Sequence, residues 1–241
     1  MSVFSGSIIS YPDSYGRIIE GKIQNQTGRT LNDSSALTET TFQRGLLHLA
    51  ASDADLGRVL AELGKPPMWG RAPGFPTLVH IILEQQVSLA SARAAFDRLG
   101  AAVSPLTPEG FLELDDQRLK IIGFSRQKTH YCRELAKSIT QGQLDLAALE
   151  GMDDREARSA LIARKGIGPW TADIYLLMAL LRPDVWPSGD LALASAVRVV
   201  KRLPELPSAD TLEEIGQSWR PWRAVAARIL WHYYLSQKRP S

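Results

Sequence analysis

Leu161-Ile162-Ala163-Arg164-Lys165-Gly166-Ile167-Gly168-Pro169-Trp170-Thr171-Ala172-Asp173 is the stretch on which the fold turns, and Trp186-Pro187-Ser188-Gly189-Asp190-Leu191-Ala192-Leu193 follows it past an apolar segment. The first part reads as a helix, a very tight turn at Gly166-Ile167-Gly168, and a second helix entered through Pro169. Two glycines around one apolar residue permit positive φ and leave backbone N–H groups uncovered by side chains, so an anion such as a phosphate can approach them. Pro169 suits a first helical turn, where its missing N–H is not needed. The turn is built to present backbone to a ligand.

In the second part Pro187 and Gly189 break the preceding helix, which puts Asp190 at the start of an apolar helix expected from Leu191 to Leu203. A carboxylate there gains from the positive end of the helix dipole. Taken alone, Asp190 is a plain helix cap. The hairpin upstream is what raises a second use for it.

Outside this core, 241 residues with 44% apolar composition are enough for one large domain or two small ones. No apolar run reaches the roughly 20 residues of a membrane span, and no basic-then-apolar secretory pattern opens the chain. A soluble protein with no membrane partner, cytoplasmic or nucleoid-associated, is expected. The single cysteine, Cys132, excludes an internal disulfide and a four-cysteine iron–sulfur cluster. Net charge is only +2, so the distribution of basic residues matters more than their sum. Arg164 and Lys165 adjoin the hairpin; other basic groups, such as Arg198/Lys201/Arg202, read as solvated helix faces.

Residues 1–40, rich in Ser, Thr, Asn and Gly, read as an extension with at most a short strand or two; residues 41–241 read as one helical domain. Ser52 and Asp55 suggest a capping-box-like helix start, and the loop from Gly64 to Gly74 carries Trp69, read as packed on the body. Pro76 opens a helix that ends near Gln85-Gln86-Val87-Ser88, where Ser88 caps the next. Thr107, Ser125 and Ser208 mark further helix starts, and Gly123, Gly142 and Gly151 mark helix ends. Leu119 to Lys128 faintly echoes the hairpin, either as a repeated helical corner or as any corner with a glycine. The last helix carries Val225, Ile229, Leu230 and Tyr233 as a core stripe. The fold class is all-α.

Gly166-Ile167-Gly168-Pro169-Trp170-Thr171-Ala172, Pro187-Ser188-Gly189-Asp190, Ile82-Leu83-Glu84-Gln85-Gln86-Val87-Ser88 and Trp219-Arg220-Pro221-Trp222-Arg223 together resemble the helix-hairpin-helix base-excision DNA glycosylase superfamily, closest to its 3-methyladenine DNA glycosylase II branch. The resemblance spans about Thr41 to Gln237. It implies two helical lobes flanking a cleft, a damaged double-stranded DNA partner, and a monomer. It also implies that Asp190 is the catalytic carboxylate and that Trp170 and Trp231 line the base pocket. Gly166, Ile167, Gly168, Lys165 and Thr171 would meet the DNA backbone, and Gln86 would plug the gap left by an extruded nucleotide.

The same resemblance implies no cofactor for the chemistry, with a structural monovalent cation (Na or K) on the backbone carbonyls of Ile162, Arg164 and Ile167. Bifunctional members carry a lysine where this chain has Trp170, so base removal without strand cleavage is implied. Ile174 and Leu191 stand where some relatives carry pocket tyrosines. Alkylated purines of the 3-methyladenine and 7-methylguanine type, already cationic, are the implied substrates. A non-catalytic helix-hairpin-helix DNA-binding module and a glycosylase/lyase acting on oxidised bases are the alternatives.

Overall fold

The computed structural model describes residues 36–237, and every regular element among them is a helix. The extension expected over residues 1–40 lies outside the described residues except for its last five, where Thr38 caps the first helix.

The described chain divides into two compact units. The first, Ala72–Ala179, holds α3 (Phe75–Glu84), α4 (Leu89–Ala102), α5 (Pro108–Leu112), α6 (Asp116–Ile122), α7 (Arg126–Thr140), α8 (Asp154–Ile162) and α9 (Pro169–Met178). The second joins residues up to Arg71 to those from Leu180 onward. It holds α1 (Glu39–Ser52), α2 (Ala54–Leu63), α10 (Leu191–Val200), α11 (Ala209–Gln217) and α12 (Arg223–Ser236).

In the first unit α3 and α9 are buried on nearly every side, as their apolar sequences require. α3 packs on α4, α7 and α9, and α8 packs on α9. The α8–α9 pair is clamped by Arg158, whose Nε donates to the buried Asp173 Oδ1 at 2.6 Å. This ion pair fixes the two helices that flank the hairpin. Ser88, Thr107 and Ser125 cap α4, α5 and α7. Gly123 ends α6 in the left-handed region.

In the second unit α12 packs against α1, α2 and α10, with Ala224 to Trp231 all buried. Within its expected stripe Val225, Ile229 and Leu230 are buried, whereas Tyr233 is half-exposed. The expected start at Ser52 is displaced by one residue. Asp53 is the N-cap of α2, accepting from the Asp55 and Leu56 amides at 3.0 and 3.2 Å, while the Ser52 hydroxyl bonds back to the His48 carbonyl. Asp53 also receives Lys201 Nζ at 2.7 Å and Trp219 Nε1 at 2.7 Å, tying α2 to the end of α10. Burial raises the Asp53 pKa, but Lys201, the Trp219 N–H and the Leu56 amide together hold it below the ordinary carboxylate range. The buried Arg228 donates to the Met68 carbonyl at 2.6 Å, and the Trp69 ring lies tilted beside His232, so the Pro/Gly-rich loop is fastened to α12.

Candidate active site

The hairpin joins α8 to α9 in the first unit. Gly166 has φ +88°, and a Cβ added to it would fall 2.3 Å from Tyr131 Cγ, so conformation and space both demand glycine. Gly168 differs from the sequence expectation. Its φ of −85° is open to any residue, and a Cβ there would meet nothing within 4 Å. Only one of the two glycines uses left-handed freedom; the other leaves open space above the backbone.

Ile167 is buried, and its N–H closes the turn on the Arg164 carbonyl at 3.1 Å. Its amide is therefore not one of those presented outward. Gly168 is the N-cap of α9 and, having no side chain, supplies no capping oxygen to the first turn. Thr171 is buried and its hydroxyl accepts from Gln85 Nε2 at 2.9 Å. Lys165 and Gly168 are exposed; Ile162, Arg164 and Trp170 are half-buried, with Trp170 in the first turn of α9.

A control for this geometry exists in the same unit. The corner α6–Gly123–Phe124–Ser125–α7 repeats the pattern of a left-handed glycine (φ +114°), a buried apolar residue and a small residue at the next helix start. There the Ser125 hydroxyl accepts the Lys128 amide at 3.2 Å and fills the position that Gly168 leaves vacant of a side chain. Of the two similar corners, the one at Gly168 lacks a side-chain oxygen at the cap.

From sequence Gln85 is only one of the residues near which the Pro76 helix ends. The structure gives it a different place: both hydrogens of its amide are donated into the hairpin, to the Gly166 carbonyl at 3.0 Å and to Thr171 Oγ1 at 2.9 Å. Its neighbour Gln86 is exposed at φ +57°, a left-handed conformation uncommon outside glycine. On the other side of that corner Lys128 Nζ donates to the Leu83 carbonyl at 2.6 Å, and burial lowers the pKa of its ammonium. Gln85, Lys128 and Tyr131 carried no local sequence signal for these roles, because each acts across elements distant in the chain.

In the second unit Asp190 caps α10 and is buried, 4% exposed. Its Oδ1 accepts the Leu193 amide at 2.8 Å and the Trp231 Nε1–H at 3.2 Å. The expected cap is present, and Trp231 is brought onto the same oxygen. Trp231 itself is only 1% exposed. Its ring offers no open face for stacking in this structure; what it supplies is an N–H that orients the carboxylate. Leu191, next to Asp190, is 67% exposed, whereas Ile174 is buried within α9, so of these two departures from the family pattern only Leu191 presents itself at the surface.

A family model described as HhH-GPD superfamily base excision DNA repair protein matches residues 79–221, taking in the Gln85 corner, the hairpin and Asp190. The chain is similar to DNA-3-methyladenine glycosylase 1 of Schizosaccharomyces pombe, 27% identical over 200 residues that make up 80% of this chain and 87% of that protein. Among solved structures it resembles the S. pombe 3-methyladenine DNA glycosylase in complex with abasic DNA (TM-score 0.73, 26% identity, 78% of this chain and 95% of the other). It also resembles a DNA-3-methyladenine glycosidase from Bacillus halodurans (TM-score 0.68, 27% identity, 83% and 93%).

Proposed function

Because the chain belongs to the HhH-GPD superfamily of base excision DNA repair proteins, we propose that it is a monofunctional DNA glycosylase that hydrolyses the N-glycosidic bond of alkylated purines in duplex DNA, with Asp190 as its catalytic carboxylate. The observation that carries this reading is a buried carboxylate whose Oδ1 is fixed by two N–H donors from different helices. Such fixation lets it act without reorganising as charge develops.

Base removal begins with extrusion of the target nucleotide, which costs a few kcal/mol and favours weakly paired, damaged bases. The uncapped start of α9 grips a phosphate through backbone N–H groups, without reading sequence. Gln86 enters the vacated stack. The glycosidic bond then breaks through an oxocarbenium-like sugar, which Asp190 stabilises while orienting the water that attacks it. An N3- or N7-alkylated purine already carries positive charge and leaves without a second acid. Trp170 attracts such a base by stacking and cation–π interaction, worth about 0.5–2 kcal/mol.

A monovalent cation fits the hairpin's donor set. Ile162 ends α8, so its carbonyl lies past the last intrahelical donor, and the Arg164 carbonyl keeps a second lone pair beside the Ile167 amide. The carbonyls of Ile162, Arg164 and Ile167 would hold it, and it would add positive charge where phosphate approaches. With Trp170 in place of a lysine nucleophile, the enzyme leaves the strand intact.

Asp190→Asn is the test. Asparagine keeps the Oδ1 acceptor for both N–H groups and caps about as well as aspartate, so the variant folds and binds DNA. Its single-turnover release of 3-methyladenine should fall by about 10²-fold or more. Release within a few-fold of the parent would reduce Asp190 to a helix cap.

A further inference from the structure

We propose that Gln85 is a positioning residue that couples the phosphate-gripping hairpin to the gap-filling Gln86, so that nucleotide extrusion depends on its two hydrogen bonds. This rests on the proposed function, in which the hairpin and Gln86 both meet DNA.

The geometry leaves little freedom. Gly166's carbonyl can only accept, so the atom facing it is the Gln85 amide nitrogen, and both hydrogens of that nitrogen are engaged, at 3.0 Å to Gly166 and 2.9 Å to Thr171 Oγ1. One contact falls on the left-handed glycine of the turn. The other falls on the first turn of α9, which the proposed function makes the phosphate anchor. Gln85 thus holds both sides of the hairpin with one planar group.

Gln85 is also the residue that terminates α3, and Gln86 follows it directly at φ +57°. A non-glycine residue persists in that conformation only where its surroundings hold it. Here they do so from both flanks, through Gln85 on the hairpin and through Ser88 capping α4. Lys128 steadies the preceding turn by its bond to the Leu83 carbonyl. The exposed Gln86 side chain is therefore referenced to the hairpin through a single intervening side chain. Once phosphate fixes the hairpin, the position of the plug is fixed too.

The experiment measures three quantities on the full chain: affinity for undamaged duplex by anisotropy, base extrusion by the fluorescence of 2-aminopurine placed beside the lesion, and single-turnover release. Gln85→Ala should bind undamaged duplex within about threefold of the parent, lose at least tenfold in the extrusion equilibrium, and lose release in proportion. Thr171→Val, which deletes one acceptor at constant shape, should lose part of the same signal, and Thr171→Ser should restore it. In a Gln86→Ala background, adding Gln85→Ala should cost nothing further, because both act through one plug. Parental extrusion by Gln85→Ala, full additivity with Gln86→Ala, or a parallel loss of thermal stability and all binding would each overturn the coupling. A parent that extrudes no base would overturn the proposed function itself, a result distinct from any of these.

Discussion

Replacing Gly168 by serine should make the protein more stable and worse at its task. The residue sits at the N-cap of α9 with φ −85° and ψ 176°, a conformation serine adopts freely, and a Cβ there meets nothing within 4 Å. Serine is also a better N-cap than glycine by a few tenths of a kcal/mol, and replacing glycine restricts the unfolded chain by about 0.4–1 kcal/mol. Together these give a gain of about 0.6–1.4 kcal/mol, or ~1–6 °C in a chain of this size. The hydroxyl, however, would accept a first-turn N–H of the proposed phosphate anchor, as Ser125 accepts the Lys128 amide in the sister corner. A hydrogen bond to a charged group is worth about 1.5–3 kcal/mol, so affinity should fall by roughly tenfold or more on every duplex sequence alike. Thermal unfolding and anisotropy titrations on two duplexes of unrelated sequence measure both effects. Unchanged affinity would refute the reasoning, since it would mean that the phosphate does not approach these amides.

Gly166→Ala carries the opposite sign: the left-handed φ and the collision with Tyr131 predict a loss of about 2–5 kcal/mol, read as a fall in the denaturant midpoint. Trp231→Phe keeps a ring but deletes the N–H on Asp190; single-turnover release should drop about tenfold with duplex affinity unchanged, and equal losses in both would leave Trp231 a packing residue only. Asp53 governs acid stability. Its folded pKa lies below the unfolded value of about 3.9, so its contribution is fully present above that pH and is lost as pH falls through the folded pKa. Asp53→Asn should therefore flatten the decline of unfolding free energy below about pH 4, and an unaltered slope would count against the Lys201–Asp53 link.

Local signals in the sequence located most of the framework. Ser88, Thr107, Ser125 and Ser208 cap the helices they were expected to start, because a capping oxygen acts within three residues of itself. Asp190 belongs to the same class, and its reading as a cap is correct at the level of backbone geometry. The signal failed by one residue at Ser52, where two adjacent polar residues compete and the ion pair with Lys201, far along the chain, favours Asp53. It failed more instructively at Gly168. A pair of glycines looks equivalent in a sequence, and only the packing of Tyr131 against one of them separates the turn residue from the open one.

What could not be read was the wiring between elements. Gln85 and Gln86 are chemically identical neighbours, yet one points into the hairpin and the other into solvent. α3 ends at this pair, with Gln85 extended and Gln86 left-handed, and periodicity carries no information past a helix end. Trp231 was legible as an aromatic on a buried helix and as a match to the family's pocket residue. Its N–H partner depended on the packing of α12 against α10, which no spacing rule specifies.

The departures from local rule in this molecule fall where the proposed chemistry needs them. Nine α-helices among the described residues start at a side-chain oxygen, and three do not: α3, α9 and α12. At α12 the Ala224 amide is taken by the Pro183 carbonyl, and at α3 the N–H of the cap residue Gly74 donates to the Tyr175 hydroxyl. At α9 the cap residue Gly168 has no side chain, and Gln85, which reaches the Thr171 hydroxyl, donates there and so is no substitute for a capping oxygen. Glycine at a helix start costs a few tenths of a kcal/mol relative to serine or aspartate. A fold that caps nine starts from its own side chains had that option at Gly168 as well, with space for it. A cap position without a side-chain oxygen suits the proposed phosphate of the DNA backbone, which would supply oxygens of its own.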